Sequence, residues 1–234
     1  MGFRLIPLSW INYESENSLA FKMRKHRSQW IKELIISCFN IFGEVRIIDV
    51  GGTKEYWNII SEEFLLNQNV HITIVNLPAS TNHTKDDNIF TFRPGDGTNL
   101  KEYKDKSFHI AHSNSVIEHL GNYKNEEAFS NEIKRVGRWY YIQTPNYWFP
   151  MEPHYLIPFF HWLPIKIRIL LIQNFNLGWF KKTKDIEKAR KIIQSIKLLR
   201  KKELVRLFPD SIVNKERIVF MTKSFVLTNK NENL

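Results

Sequence analysis

A carboxylate and an imidazole adjoin at Glu118-His119 in "SNSVIEHLGN", and two glycines adjoin at Gly51-Gly52 in "IIDVGGTKEYW". Imidazole is the side chain whose ordinary pKa lies closest to neutrality, so His119 is the candidate general base and Glu118 the second candidate catalytic residue. The plainer alternative is that Glu118 caps the next segment and His119 only shapes a pocket. The glycines bare the backbone at a strand-to-helix turn, which lets a ligand approach the main chain while the amides opening the next helix attract an anionic or polar group. They also suit a tight turn that binds nothing. Neither the G-x-G-x-x-G spacing nor the G-x-x-x-x-G-K-[ST] spacing is present, so triphosphate binding is not expected.

Other short polar residues close the remaining apolar runs. Asn76 and Leu77 follow "HITIV", Asp96 and Gly97 form "PGDGT", and Ser113, Asn114 and Ser115 follow "FHIAH". Asn76 stands where dinucleotide binders carry an acid for the ribose, about 20 residues after the glycines. Asp96 offers an acceptor for an exocyclic amine, or else an Asx turn that caps its own backbone.

These residues need elements to carry them. Apolar residues from Leu19 to Phe39 recur at three- and four-residue spacings, which predicts an amphipathic helix over 18–42. A Val- and Ile-rich run at 45–50 and further runs at 71–76, 88–97, 107–115 and 138–145 read as strands, separated by helical stretches at 53–69 and 124–136. Strands alternating with helices imply right-handed βαβ units and a parallel sheet covered on both faces. Two last runs, 211–220 and 223–229, predict an antiparallel hairpin at the sheet edge. In such a sheet ligands bind beyond the carboxyl ends of the strands, where every residue named above falls.

In this order, "IIDVGG", "IVNLP", "FRPGDGTNL" and "FHIAHSNSVIEHLGN" resemble class I S-adenosylmethionine-dependent methyltransferases of the type 11 and type 23 kind, over about Val45 to Pro145. The resemblance implies an α/β, Rossmann-like three-layer sandwich: a mostly parallel seven-stranded sheet with an antiparallel C-terminal hairpin and a helical insertion after the fifth strand. It implies one domain over 1–234, with an N-terminal helix at 18–44, a cofactor core at 45–145, an acceptor cap at 146–202, and a final helix and hairpin at 203–229. The implied cofactor is S-adenosylmethionine, leaving as S-adenosylhomocysteine. Asp49, Gly51 and Gly52 match the first motif beside the methionine moiety; Asn76 matches the ribose site, Asp96 with Gly97 the adenine site, and Asn114 the methionine side, with Thr53 and Leu77 as further cofactor-binding candidates. Arg27 is expected at the cofactor's carboxylate. There are two departures from the pattern: Thr53 and Glu55 replace spaced glycines, and Asn76 replaces a carboxylate, which implies weaker cofactor binding.

Methyl transfer is an in-line displacement that needs a positioned nucleophile and, for a hydroxyl, a base. The Glu118-His119 pair also resembles that of ubiquinone-biosynthesis O-methyltransferases, whose earlier metal-binding glutamate corresponds to Ser115 here. No metal is expected. Residues 147–180 hold ten of the 32 aromatic residues and four of the nine prolines, which suits an insertion covering the acceptor. Trp148, Glu152, His154 and Tyr155 are its candidate acceptor-binding residues; the alternative is an aromatic minicore around Phe159, Phe160 and Trp162.

The formal charge of +10 falls in the C-terminal third, where 17 Lys and Arg face 7 Asp and Glu over 151–234. With the aromatic and aliphatic residues around Lys166 and Arg168 this suits peripheral contact with an anionic membrane surface, or else a solvated helical face. The uncharged stretches are shorter than the ~20 residues of a spanning helix. Cys38, the single cysteine, excludes an internal disulfide and fits a reducing, cytoplasmic setting. The N-terminus lacks a signal-peptide pattern, and Ile6 stands where a myristoylation motif needs Ser or Thr. The leading expectation is O-methylation of a small, glycan-linked or lipid-linked acceptor. A nucleic-acid (RNA) binding or modifying protein, and a catalytically inactive methyltransferase-like scaffold, are the alternatives. Nucleic acid is the weaker of the partners, because "SNSVIEH" differs from the [DNS]-P-P-[FYW] sequence of amino-group nucleic-acid methyltransferases.

Overall fold

The structure, a computed structural model, describes residues 16–78 and 85–229. The readings of Met1, Gly2 and Ile6 lie outside the described residues. Helix α1 (Leu19–Phe42) starts at Ser18, whose hydroxyl accepts from the Phe21 amide, and ends at Gly43 in the left-handed conformation. Its buried residues Ile31, Leu34, Ile35 and Cys38 form the apolar stripe that the three-and-four spacing predicts.

Strand β1 (Val45–Val50) follows, then two short helices where a single helical stretch is expected: α2 (Lys54–Trp57) and α3 (Glu62–Asn67). Ser61 makes the break, because its hydroxyl caps the second helix by accepting from the Phe64 amide. The core continues through β2 (Val70–Asn76), β3 (Phe90–Pro94) and β4 (Phe108–Asn114). A single 3-10 turn carries Ile117–His119. Helix α4 (Tyr123–Val136) then leads into β5 (Gly137–Pro145).

The insertion contains a two-residue ribbon, β6 (Met151–Glu152) paired with β7 (Ile157–Pro158), and helices α5 (Ile165–Asn174) and α6 (Ile186–Gln194). After α7 (Lys201–Leu207) the chain closes with the hairpin β8 (Ile212–Ile218) and β9 (Met221–Thr228).

The seven strands run β3-β2-β1-β4-β5-β9-β8, the first five parallel and β9 antiparallel to β5. Alternation along β1 sends Ile47 to the layer of Ile31, Ile35 and Trp57 and Ile48 to the layer of Phe129, Ile133 and Phe208. Both faces are therefore covered, so burial along β1 and β4 is nearly continuous and does not alternate. The insertion has its own core of Tyr155, Phe160, Ile169, Ile172, Leu177, Ala189 and Ile193. Of the three aromatics weighed as a minicore, Phe160 belongs to it, whereas Phe159 and Trp162 are exposed.

Candidate active site

The strand order reverses between β1 and β4, so their carboxyl ends open a crevice. On the β1 side lie the glycines. Gly51 has φ +75°, and a Cβ on Gly52 would fall 1.8 Å from the Asp49 carboxylate. That carboxylate is fully buried: Trp57 Nε1 donates to one oxygen at 2.8 Å and His112 Nδ1 to the other at 2.6 Å. Asp49 thus braces the underside of the turn, and Gly52 must be bare to admit it. Thr53 is extended (φ −138°, ψ 154°) and Glu55 lies inside α2, so neither position demands the glycine that the resemblance leads one to expect.

Asn76 Nδ2 donates to the Gly52 carbonyl at 2.8 Å. A carboxylate there would set two acceptors face to face, which gives a physical reason for the amide. Asp96 forms the Asx turn, accepting through Oδ1 from the Thr98 amide and hydroxyl, and its side chain stays exposed beside Gly97. Leu77 is exposed.

On the other side, a cavity of about 360 Å³ lies beyond the ends of β4 and β5. Its walls come from α1 (Met23, Arg27), the strand ends (Asn114, Gln143), the hairpin (Lys223) and the insertion (His154). Arg27 donates to Asn114 Oδ1 at 2.9 Å and pairs with buried Glu216 at 3.2 Å, while its own Nε is buried without a partner. Burial acts against both charges of this pair, yet their mutual attraction prevails: the Arg27 pKa is raised and the Glu216 pKa lowered. Lys223, at 3.5 Å from Glu216, adds to that attraction. Glu216 and Lys223 gave no signal in the sequence, because an alternating, charged hairpin reads as an exposed edge.

Glu118 and His119 sit just outside this cavity, and the insertion brings His154 to them. The His119 and His154 rings meet edge to face with centroids 4.9 Å apart. His154 Nδ1 donates to Glu152 Oε1 at 2.8 Å, and Glu152 Oε2 accepts from the amides of His154 and Tyr155, which fixes the turn that aims the ring. Desolvation alone would lower the His154 pKa; Glu152 outweighs it and the net direction is upward. Burial pushes the Glu118 carboxyl up to about 7, with Thr144 Oγ1 donating to one oxygen at 2.9 Å.

Among the candidate acceptor residues, only His154 lines the cavity directly. Glu152 stands behind it, buried. Trp148 is 57% exposed, outside the cavity, with its ring tilted against Trp162. Tyr155 does not line the cavity: its ring packs against Phe160 and Phe180 in the insertion's core, and its hydroxyl donates to the Ile192 carbonyl.

Residues 52–138 match the family model described as a methyltransferase domain. The chain carries a class I S-adenosylmethionine-dependent methyltransferase domain. No curated protein matches. Among solved structures, the CurJ carbon methyltransferase superposes with a TM-score of 0.53 at 10% identity, over 93% of this chain and 56% of that one. S-adenosylmethionine-dependent methyltransferases from Methanosarcina mazei (TM-score 0.44, 15% identity, 79% of this chain and 91% of that one) and Archaeoglobus fulgidus (0.48, 12%, 86% and 94%) are also similar.

The residues of this methyltransferase fit its cofactor. S-adenosylmethionine supplies an electrophilic methyl on a sulfonium; Arg27 and Asn114 would offer a guanidinium and an amide to its amino-acid end, and Asp96 an exposed acceptor to its base. Two outcomes test the site. Asn76→Asp should destabilise the protein by about 1–3 kcal/mol by losing the bond to Gly52 and opposing two acceptors, measured by denaturant unfolding. It should not tighten S-adenosylhomocysteine binding. For the Arg27–Glu216 pair, a carboxyl held below its unfolded pKa contributes stability above that pKa and loses it as pH falls through the folded value. Unfolding free energy should therefore drop below roughly pH 4.5, and less steeply in Glu216→Gln.

Proposed function

We propose that this methyltransferase transfers a methyl group to an oxygen of a small, glycan-linked or lipid-linked acceptor. One observation supports the reading above the others: His154, aimed by buried Glu152, faces a cavity that opens beside the expected methionine side of the cofactor. The acceptor's hydroxyl would sit at the His154 end of the cavity and give up its proton there to water. S-adenosylmethionine, when bound, would supply the methyl group for the new carbon–oxygen bond, its sulfur keeping the electron pair of the carbon–sulfur bond. The apolar walls, among them Phe149, Leu156 and Trp179, hold the acceptor's body and exclude water.

Trp179 is at once a wall residue and 56% exposed, so it offers a stacking face at the rim. Nearby in sequence, Phe159, Trp162 and Trp148 form a chain of exposed ring contacts, and α5 leaves Ile167 and Leu170 uncovered. Among the described residues no helix is long and apolar enough to cross a membrane. Together with Lys166, Lys181 and Lys182 these groups suit an anionic lipid surface, against which a lipid-linked acceptor would be presented.

Three measurements test this reading. S-adenosylhomocysteine should bind by titration calorimetry and lose about 10- to 100-fold in affinity in Asp96→Ala; no binding to the wild type would leave the scaffold reading standing. Labelled methyl from S-adenosylmethionine should enter a glycan or lipid extract as O-methyl, falling at least ~100-fold in His154→Ala. Label found only on nitrogen or in RNA would refute the acceptor class. Vesicles rich in phosphatidylserine should co-sediment the protein, and Trp162→Ala with Leu170→Ala should weaken this; equal binding to neutral vesicles would rule out the charge contribution.

A further inference from the structure

We propose that Glu118, His119 and His154 form a binding site for a divalent transition-metal ion. Donor atoms from the three side chains lie within 4.8 Å of one another. Each imidazole has one nitrogen already committed to an oxygen acceptor: His154 Nδ1 to Glu152 at 2.8 Å, and His119 Nδ1 to the Ser195 carbonyl at 3.2 Å. That is the arrangement by which a carboxylate or carbonyl fixes the tautomer of a metal-ligating histidine, and it leaves Nε2 of both rings with its lone pair outward. The carboxylate is organised likewise. Thr144 holds Glu118 Oε2, while Oε1 is buried without a hydrogen-bond partner. An unsatisfied carboxylate oxygen in a fully buried residue is costly, and a cation on it removes the cost.

Two imidazoles and one carboxylate suit Zn²⁺, Fe²⁺, Co²⁺ or Mn²⁺ better than Mg²⁺ or Ca²⁺, which prefer all-oxygen sites. Three protein ligands leave coordination positions open. His154 also lines the cavity, so an ion held there would lie at its edge. There the ion would hold the acceptor oxygen and lower its pKa, so that the hydroxyl proton passes to water before the carbon–oxygen bond forms. This consequence rests on reading the cavity as the acceptor site; the binding of a cation does not. The expectation of no metal followed from Ser115, three residues before the pair. The third donor instead comes from the insertion.

The test uses the full chain, stripped with a chelator and titrated with Co²⁺ while visible absorption is followed, with Zn²⁺ counted by mass spectrometry after dialysis. About one ion per chain is expected, with affinity reduced at least 100-fold in Glu118→Gln, His119→Ala and His154→Ala and by 10- to 100-fold in Glu152→Gln, which removes no ligand. His119 is exposed, so His119→Ala tests the site even if the buried variants misfold, a point checked by near-ultraviolet circular dichroism. Absence of Co²⁺ binding at millimolar ion, or binding unchanged in His119→Ala, overturns the proposal. Methyl transfer that persists in chelator overturns the metal's role and leaves the transfer reading intact. Cation binding without any S-adenosylhomocysteine binding upholds the metal site and overturns the transfer reading.

Discussion

The carboxyl end of the sheet is organised by a backbone bond between two distant segments: the Lys197 amide donates to the Glu118 carbonyl at 2.8 Å. It returns the end of the insertion onto the turn that follows β4. Around it, Lys197 Nζ pairs with buried Glu126 at 2.7 Å, and Tyr147 and Leu199 join where the insertion leaves and re-enters the core. The insertion is therefore pinned at both ends, and its ribbon carries Glu152 and His154 to the Glu118-His119 turn. Without this closure His154 would have no fixed relation to the crevice. The left-handed backbone at Leu156 and Phe159, uncommon for residues with a Cβ, shows how tightly the ribbon is turned.

Buried charge is the second constraint. Asp49 is enclosed by Trp57 and His112, and Arg27 by Glu216 and Asn114. Charges removed from water are tolerated only when paired and hydrogen-bonded, and losing one partner of such a pair costs about 3–5 kcal/mol. Both clusters lie at the crevice, one beneath the glycine turn and one on the cavity wall. The polar groups that shape the site are thus held by the same interactions that hold α1 and the hairpin to the sheet.

Much of the fold was legible because its signals are local. Residues 45–50 are a strand as read, since a run of Val and Ile buried on both faces leaves little alternative. The hairpin, α1 and the placement of Asn76, Asp96 and Asn114 at strand ends followed in the same way. Where the reading differed, a competing local contact decided: Ser61 split one helix into two, and the turn at Glu152 buried Tyr155.

Sequence by itself determined the alternation of strands and helices, hence the sheet, its switch point and the end at which ligands meet it. Tertiary structure alone decided which polar residues share a site. Asp49 and His112, Arg27 and Glu216, and His119 and His154 are far apart along the chain, and no periodicity links them. Their pairing depends on the three-dimensional return of the hairpin and the insertion, and on the requirement that each buried polar group find a partner there.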